Sequence, residues 1–143
     1  MAEGDITFAN HFKAGLLGGL YDLDTDTIKV ALLNGYSFDP DNNHGYSNFS
    51  ANEITGAGYT AGGITLGTLT ITTNDTGNYA KWDAGDVTWT SLATATISMA
   101  AIYDTTVTTP ITSPIIAKVE IGTNSNGGNY TISWNAGGIA QLS

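Results

Sequence analysis

"DLDTDTIKVALLN", residues 22–34, decides how the whole chain is read. Its first half sets Asp22, Asp24 and Asp26 at alternate positions, and its second half alternates Ile28, Val30 and Leu32 with Lys29 and Ala31. Side chains that repeat every second residue share one face of a β-strand, so the second half predicts a half-buried strand. The acidic half admits two readings, a calcium loop or the polar entrance to that strand. An EF-type loop needs acids or amides at positions 1, 3 and 5, glycine at 6 and a bidentate glutamate at 12. Counted from Asp22, position 6 is Thr27 and position 12 is Leu33, and the strand pattern starts inside the loop. "DPDNNHGYSNFS", from Asp39, fails in the same way: Gly45 comes one place late and Ser50 stands where the glutamate belongs. No metal is expected at either cluster. Asp and Thr here read as turn and cap formers.

The two-residue period returns along the chain in "ITLGTLTIT" (64–72), "YAKWDA" (79–84), "DVTWTS" (86–91), "PIIAKVEI" (114–121), "NYTISWN" (129–135) and "GIAQLS" (138–143). The longest run, "TATISMAAIYD" (94–104), sets Ile97, Met99, Ala101 and Tyr103 on one face. Ahead of these strands, Phe8, Phe12, Leu16 and Leu20 are spaced by four, which predicts a short helix from about Ile6 to Leu20, frayed by Gly18 and Gly19. About eight short strands with turn signals between them predict a mostly β chain: a single-domain β-sandwich or jelly roll over residues 1–143 with a short N-terminal helix.

Composition removes several functions. The 143 residues contain no cysteine, which excludes disulfides, thiolate metal sites and thiol nucleophiles. Four lysines (Lys13, Lys29, Lys81 and Lys118) and no arginine stand against 13 acids, a formal charge of −9. Nucleic-acid binding needs clustered cations to displace phosphate counterions, so none is expected. An acidic surface also disfavours anionic membranes, and no apolar run approaches a membrane span.

Catalytic patterns are equally sparse. His11 and His44 are the only histidines, no G-x-S-x-G elbow or HExxH spacing occurs, and pairs such as Asp83 with Asp86 carry no specificity in an acidic chain. "GAGYTAGG" (56–63) lacks the GK[ST] ending of a phosphate loop and reads as turns with positive φ. No enzyme activity and no cofactor is expected.

What remains is a long polar stretch, residues 35–63, carrying Tyr36, Phe38, Tyr46 and Phe49. A loop this long is usually functional or ordered by a partner, and unburied aromatics anchor interfaces. These four residues and Trp82 are the expected partner contacts, with the loop mobile until bound. Trp89 and Trp134 fall in phase with Val87 and Ile132 and are expected in the core.

"DLDTDTIKVALLN", "EITGAGYTAGGITL", "AKWDAGDVTWTSLATATISMAAIYD", "SPIIAKVEIG" and "YTISWNAGGIAQL", in this order over nearly the whole chain, resemble a family of small tailed-bacteriophage structural proteins. Two features depart from that pattern: no arginine in "TATISMAAIYD", and the hairpin "GTNSNGGNY" (122–130). The resemblance implies a capsid decoration (cement) protein on the virion surface, which braces the outer lattice by binding the major capsid protein and sister copies as a homo-oligomer. Alternatives are a tail or fibre protein contacting a host receptor, and a secreted carbohydrate-binding module using Trp82.

Overall fold

The structure, a computed structural model, describes residues 4–143. Its centre is made by the three strands whose sequences bury nearly every residue: β2 (Ile28–Leu33), β7 (Met99–Asp104) and β8 (Ile115–Glu120). They lie in a five-stranded antiparallel sheet of order β1-β8-β7-β2-β3, with β1 (Ile6–Phe8) and β3 (Ile64–Thr65) at its edges. β2 pairs with β7 from Ile28 opposite Asp104 to Leu33 opposite Met99. That register puts Ile28, Val30 and Leu32 on one face with Ala100 and Ile102, and Ala31 on the other with Ala101 and Tyr103.

The strands between "ITLGTLTIT" and the C-terminus form two smaller sheets. β4 (Thr70–Asn74), β5 (Tyr79–Asp83) and β10 (Ala140–Leu142) pair in the order β10-β5-β4, while β6 (Val87–Trp89) pairs with β9 (Tyr130–Ile132). One hydrophobic core joins all three sheets, so the chain is a mostly β, sandwich-like fold with ten strands among the described residues rather than about eight. "ITLGTLTIT" supplies two strands. Leu66 still donates to the Ile28 carbonyl (2.8 Å), but Thr68 has φ 54°, which turns the chain from the large sheet to the small one.

The N-terminal segment differs from the expected helix. Its first turn is taken by β1, which pairs with β8 through Ile6 opposite Val119, and the helix α1 spans only Asn10–Leu17. Phe8 and Phe12 still stack, at 5.7 Å, and Phe12 packs on Tyr21 at 5.0 Å. The helix ends at Gly18, whose N–H reaches the Ala14 carbonyl at 3.0 Å, and Gly19 leaves it with φ 76°.

The acidic doorstep of β2 is a turn built by its own aspartates. Asp26 Oδ2 accepts from the Asp22 N–H (2.9 Å), and the Thr25 and Asp26 N–H groups donate to the Asp22 carbonyl (3.1 and 2.7 Å). The glycine stretch before β3 is also a matter of backbone. Gly63 has φ 76°, and a Cβ there would lie 1.8 Å from the Val30 carbonyl oxygen, so only glycine lets this turn close onto β2.

Candidate functional site

The long loop carries regular structure of its own. It contains a helical turn, α2 (Tyr46–Phe49), followed by a 3-10 turn, Ser50–Asn52. These lay the loop across the face of the large sheet that carries Tyr103. Tyr46 stacks on the Tyr103 ring at 5.3 Å and 15°, and Phe49 meets it edge-on at 5.3 Å and 75°. That cover buries the Tyr103 face of β7, the face its sequence predicted, and the strand is buried on its Ala100 and Ile102 face as well.

Polar contacts fasten the cover. Glu53 Oε1 accepts from the Tyr46 hydroxyl (2.6 Å), and Oε2 accepts from the Tyr59 hydroxyl (2.5 Å) and the Gly62 N–H (2.8 Å). Tyr103 donates to the Gly62 carbonyl (2.7 Å), and Tyr59 Oη accepts from the Leu32 N–H (3.1 Å). A phenolate beside a carboxylate is disfavoured. The Glu53 hydrogen bond, with burial, pushes Tyr46 up to about 12. Burial first, then Glu53, pushes Tyr59 up as well. These hydroxyls are held as donors; the cluster is a clasp.

Two of the five expected contact residues are therefore corrected. Phe49 is fully buried and cannot offer its ring to a partner. Trp82 is buried too, its Nε1 donating to the Leu23 carbonyl at 3.0 Å, which removes it as a platform for sugars. Tyr36, Phe38 and Tyr46 are half-buried against the same core, and Tyr36 hydrogen-bonds His44 Nδ1. Trp89 is in the core as expected, between Tyr59 and Tyr130. Trp134 is only half-buried, with its Nε1 on the Gly85 carbonyl at 3.0 Å. The two indoles exchanged roles because Trp82 faces α1 in the small sheet, whereas Trp134 lies just past the end of β9.

The fold also brings the two histidines together. Burial lowers the pKa of His11, and His44 lowers it further, which keeps the His11 imidazole neutral near pH 7. Among the described residues, no group of three or more histidines and acids could hold a metal ion.

The feature that sequence reasoning missed is an apolar groove of about 450 Å³ between α1 and the three-stranded sheet. Phe12, Leu16 and Leu17 form one wall. The β4–β5–β10 register aligns Ile71, Trp82 and Ala140 on the sheet side, with Leu142 and Ala80 beside them. Large apolar side chains stand exposed on its rim: Leu17 at 91%, Leu142 at 65% and Ile71 at 51%. Lys13 lies on the rim and donates to Asn10 Oδ1 at 3.2 Å, whereas the Lys81 ammonium is held by Asp83 (3.3 Å) and the Ala136 carbonyl (3.0 Å). Leu17, beside the Phe12 and Leu16 stripe of α1, was the sequence signal: it makes that stripe wider than one core contact needs.

Comparison with protein-family models, with curated proteins and with solved structures finds no match to this chain.

Proposed function

We propose that the chain is a non-enzymatic virion structural protein, a capsid decoration protein that binds the outer lattice of a tailed bacteriophage and stabilises it. The single observation that supports this reading is the apolar groove with its exposed rim of Leu17, Leu142 and Ile71. Exposed apolar patches of this kind on a folded chain mark surfaces that another macromolecule covers. The family resemblance supplies the partner, the major capsid protein. Binding at many lattice points makes modest affinity per copy sufficient.

The test uses particles stripped of the protein and titrated with purified chain. The expected result is saturable binding, a copy number approaching that of the major capsid protein, and greater particle resistance to heat. Leu17→Asp, on a side chain that contributes almost nothing to the fold, should lower occupancy. Binding at a few copies per particle would place the chain in the tail. No binding, or full occupancy by Leu17→Asp, would sink the reading.

A further inference from the structure

A second surface lies beside the groove, at the edge of the same small sheet. β4 pairs only with β5, and all five of its residues are exposed. Among the described residues, no backbone group of Thr70–Asn74 bonds to anything beyond β5. The other free edges are shorter: β1, β6, β9 and β10 have three residues each and β3 has two. Folded proteins guard long edges with charge, proline, a bulge or a cover. β4, "TITTN", has no charge and no proline, and its pairing with β5 runs without a register shift.

Charge selects what covers it. At −9, two copies of this chain repel each other over most of their surfaces. The stretch from Ile54 to Asn74 carries no charged residue at all. The β4 edge is therefore where a second copy can approach with least repulsion. A strand paired with itself about a two-fold axis is also self-complementary by construction.

We infer that β4 pairs antiparallel with β4 of a second copy, giving a continuous six-stranded sheet centred on Thr72. In this register Ile71 faces Thr73 of the partner copy, and Asp75 faces its Leu69, so the two Asp75 carboxylates are kept apart. A two-fold axis through the sheet keeps both apolar grooves on the same side, next to each other. Five residue pairs span only about 17 Å, and a stable interface takes about 800 Å² from each partner. Ile71 lies both on β4 and on the groove rim, so it adds apolar area beside the seam. The inference does not rest on the capsid reading.

The test uses the purified chain alone. Sedimentation equilibrium from micromolar to millimolar protein should show a reversible dimer that tightens as salt rises, because screening weakens the repulsion between copies. Thr72→Asp places two like charges at the axis and should raise the dimer dissociation constant about tenfold or more, with the monomer's thermal unfolding unchanged. The cysteine-free background allows a register scan. Thr72→Cys should cross-link to itself, Thr70→Cys alone should not, and Thr70→Cys mixed with Asn74→Cys should, since a disulfide needs Cα atoms within about 7 Å. A monomer at all concentrations, a dimer weakened by salt, or self-linking of Thr70→Cys as fast as Thr72→Cys would each overturn the pairing. A monomer that still decorates particles would overturn this inference alone. A dimer that binds no particle would overturn only the capsid reading.

Discussion

Asp104 closes β7 with its carboxyl fully buried. Its Oδ1 accepts from the backbone N–H groups of Thr106 (2.7 Å) and Val107 (3.1 Å), which cap the turn after the strand. Among the described residues, the titratable groups that act on it are Asp26 and Tyr21, and neither is a cation. Burial pushes the Asp104 carboxyl up from 3.8 to about 6; the two backbone hydrogen bonds pull against that rise and Asp26 adds to it. The folded state therefore prefers the neutral acid. That preference contributes stability in full below pH 3.8, and the contribution is lost as pH rises through about 6. At 1.36 kcal/mol per pH unit, the ionised carboxylate costs the fold about 3 kcal/mol at neutral pH.

Asp104→Asn removes the charge and keeps the amide oxygen that Thr106 and Val107 need. Exchanging charge-assisted for neutral hydrogen bonds gives back part of the gain, about 1 kcal/mol. The net expectation at pH 7.5 is stabilisation by about 1–2 kcal/mol, or a rise in Tm of about 3–6 °C for a domain of this size. At pH 4 the two proteins should unfold at nearly the same temperature. Thermal unfolding followed by circular dichroism at the two pH values gives the comparison directly. His11 titrates in the opposite sense, costing stability as pH falls below 6.5, but it is common to both proteins and cancels in the difference. A variant less stable than the parent by the same amount at both pH values would refute the reasoning. The carboxylate would then be a favourable cap rather than a strained charge.

Glu53→Gln should unfasten the loop cover: an amide offers one acceptor oxygen where Tyr46, Tyr59 and Gly62 now find two, at an expected cost of about 1–3 kcal/mol. Absorbance titration should show the Tyr46 phenol moving down from about 12 toward 10. Gly63→Ala adds a Cβ against the Val30 carbonyl at positive φ and should cost more than about 3 kcal/mol in urea unfolding. Trp82→Ala should cost about 3–5 kcal/mol as a buried truncation, and Trp134→Ala clearly less; equal losses would put both indoles in the core.

The fold was legible where burial follows the backbone period. β2, β8 and β9 appear where alternation placed them, because each repeats an apolar residue at every second position along a sheet that covers that face. The misreadings come from contacts between distant segments. Nothing local in "TATISMAAIYD" says that a loop some 50 residues earlier will lie over its Tyr103 face, or that Ala95 and Ile97 will be held by Ser125 and Asn124. Likewise the first turn of the expected helix pairs with β8, and no periodicity in residues 6–8 contains that partner.

Phe49 and Trp82 were misread for a related reason. Aromatic residues in a polar loop look available for contact because the loop's composition describes its outer side only. Phe49 is buried because Tyr103 lies beneath it, and Trp82 is buried because β5 runs under α1. With those rings placed, the large apolar side chains left exposed on the groove rim are aliphatic: Leu17, Ile71 and Leu142, from three segments that sequence order keeps far apart. Their convergence depends on the β10-β5-β4 order, in which the last strand of the chain returns beside a strand nearly 60 residues earlier. In that order β5 is central, and β4 and β10 are the two outer strands. Ile71 belongs both to the groove and to the free edge, which is why a contact at either surface brings a partner close to the other.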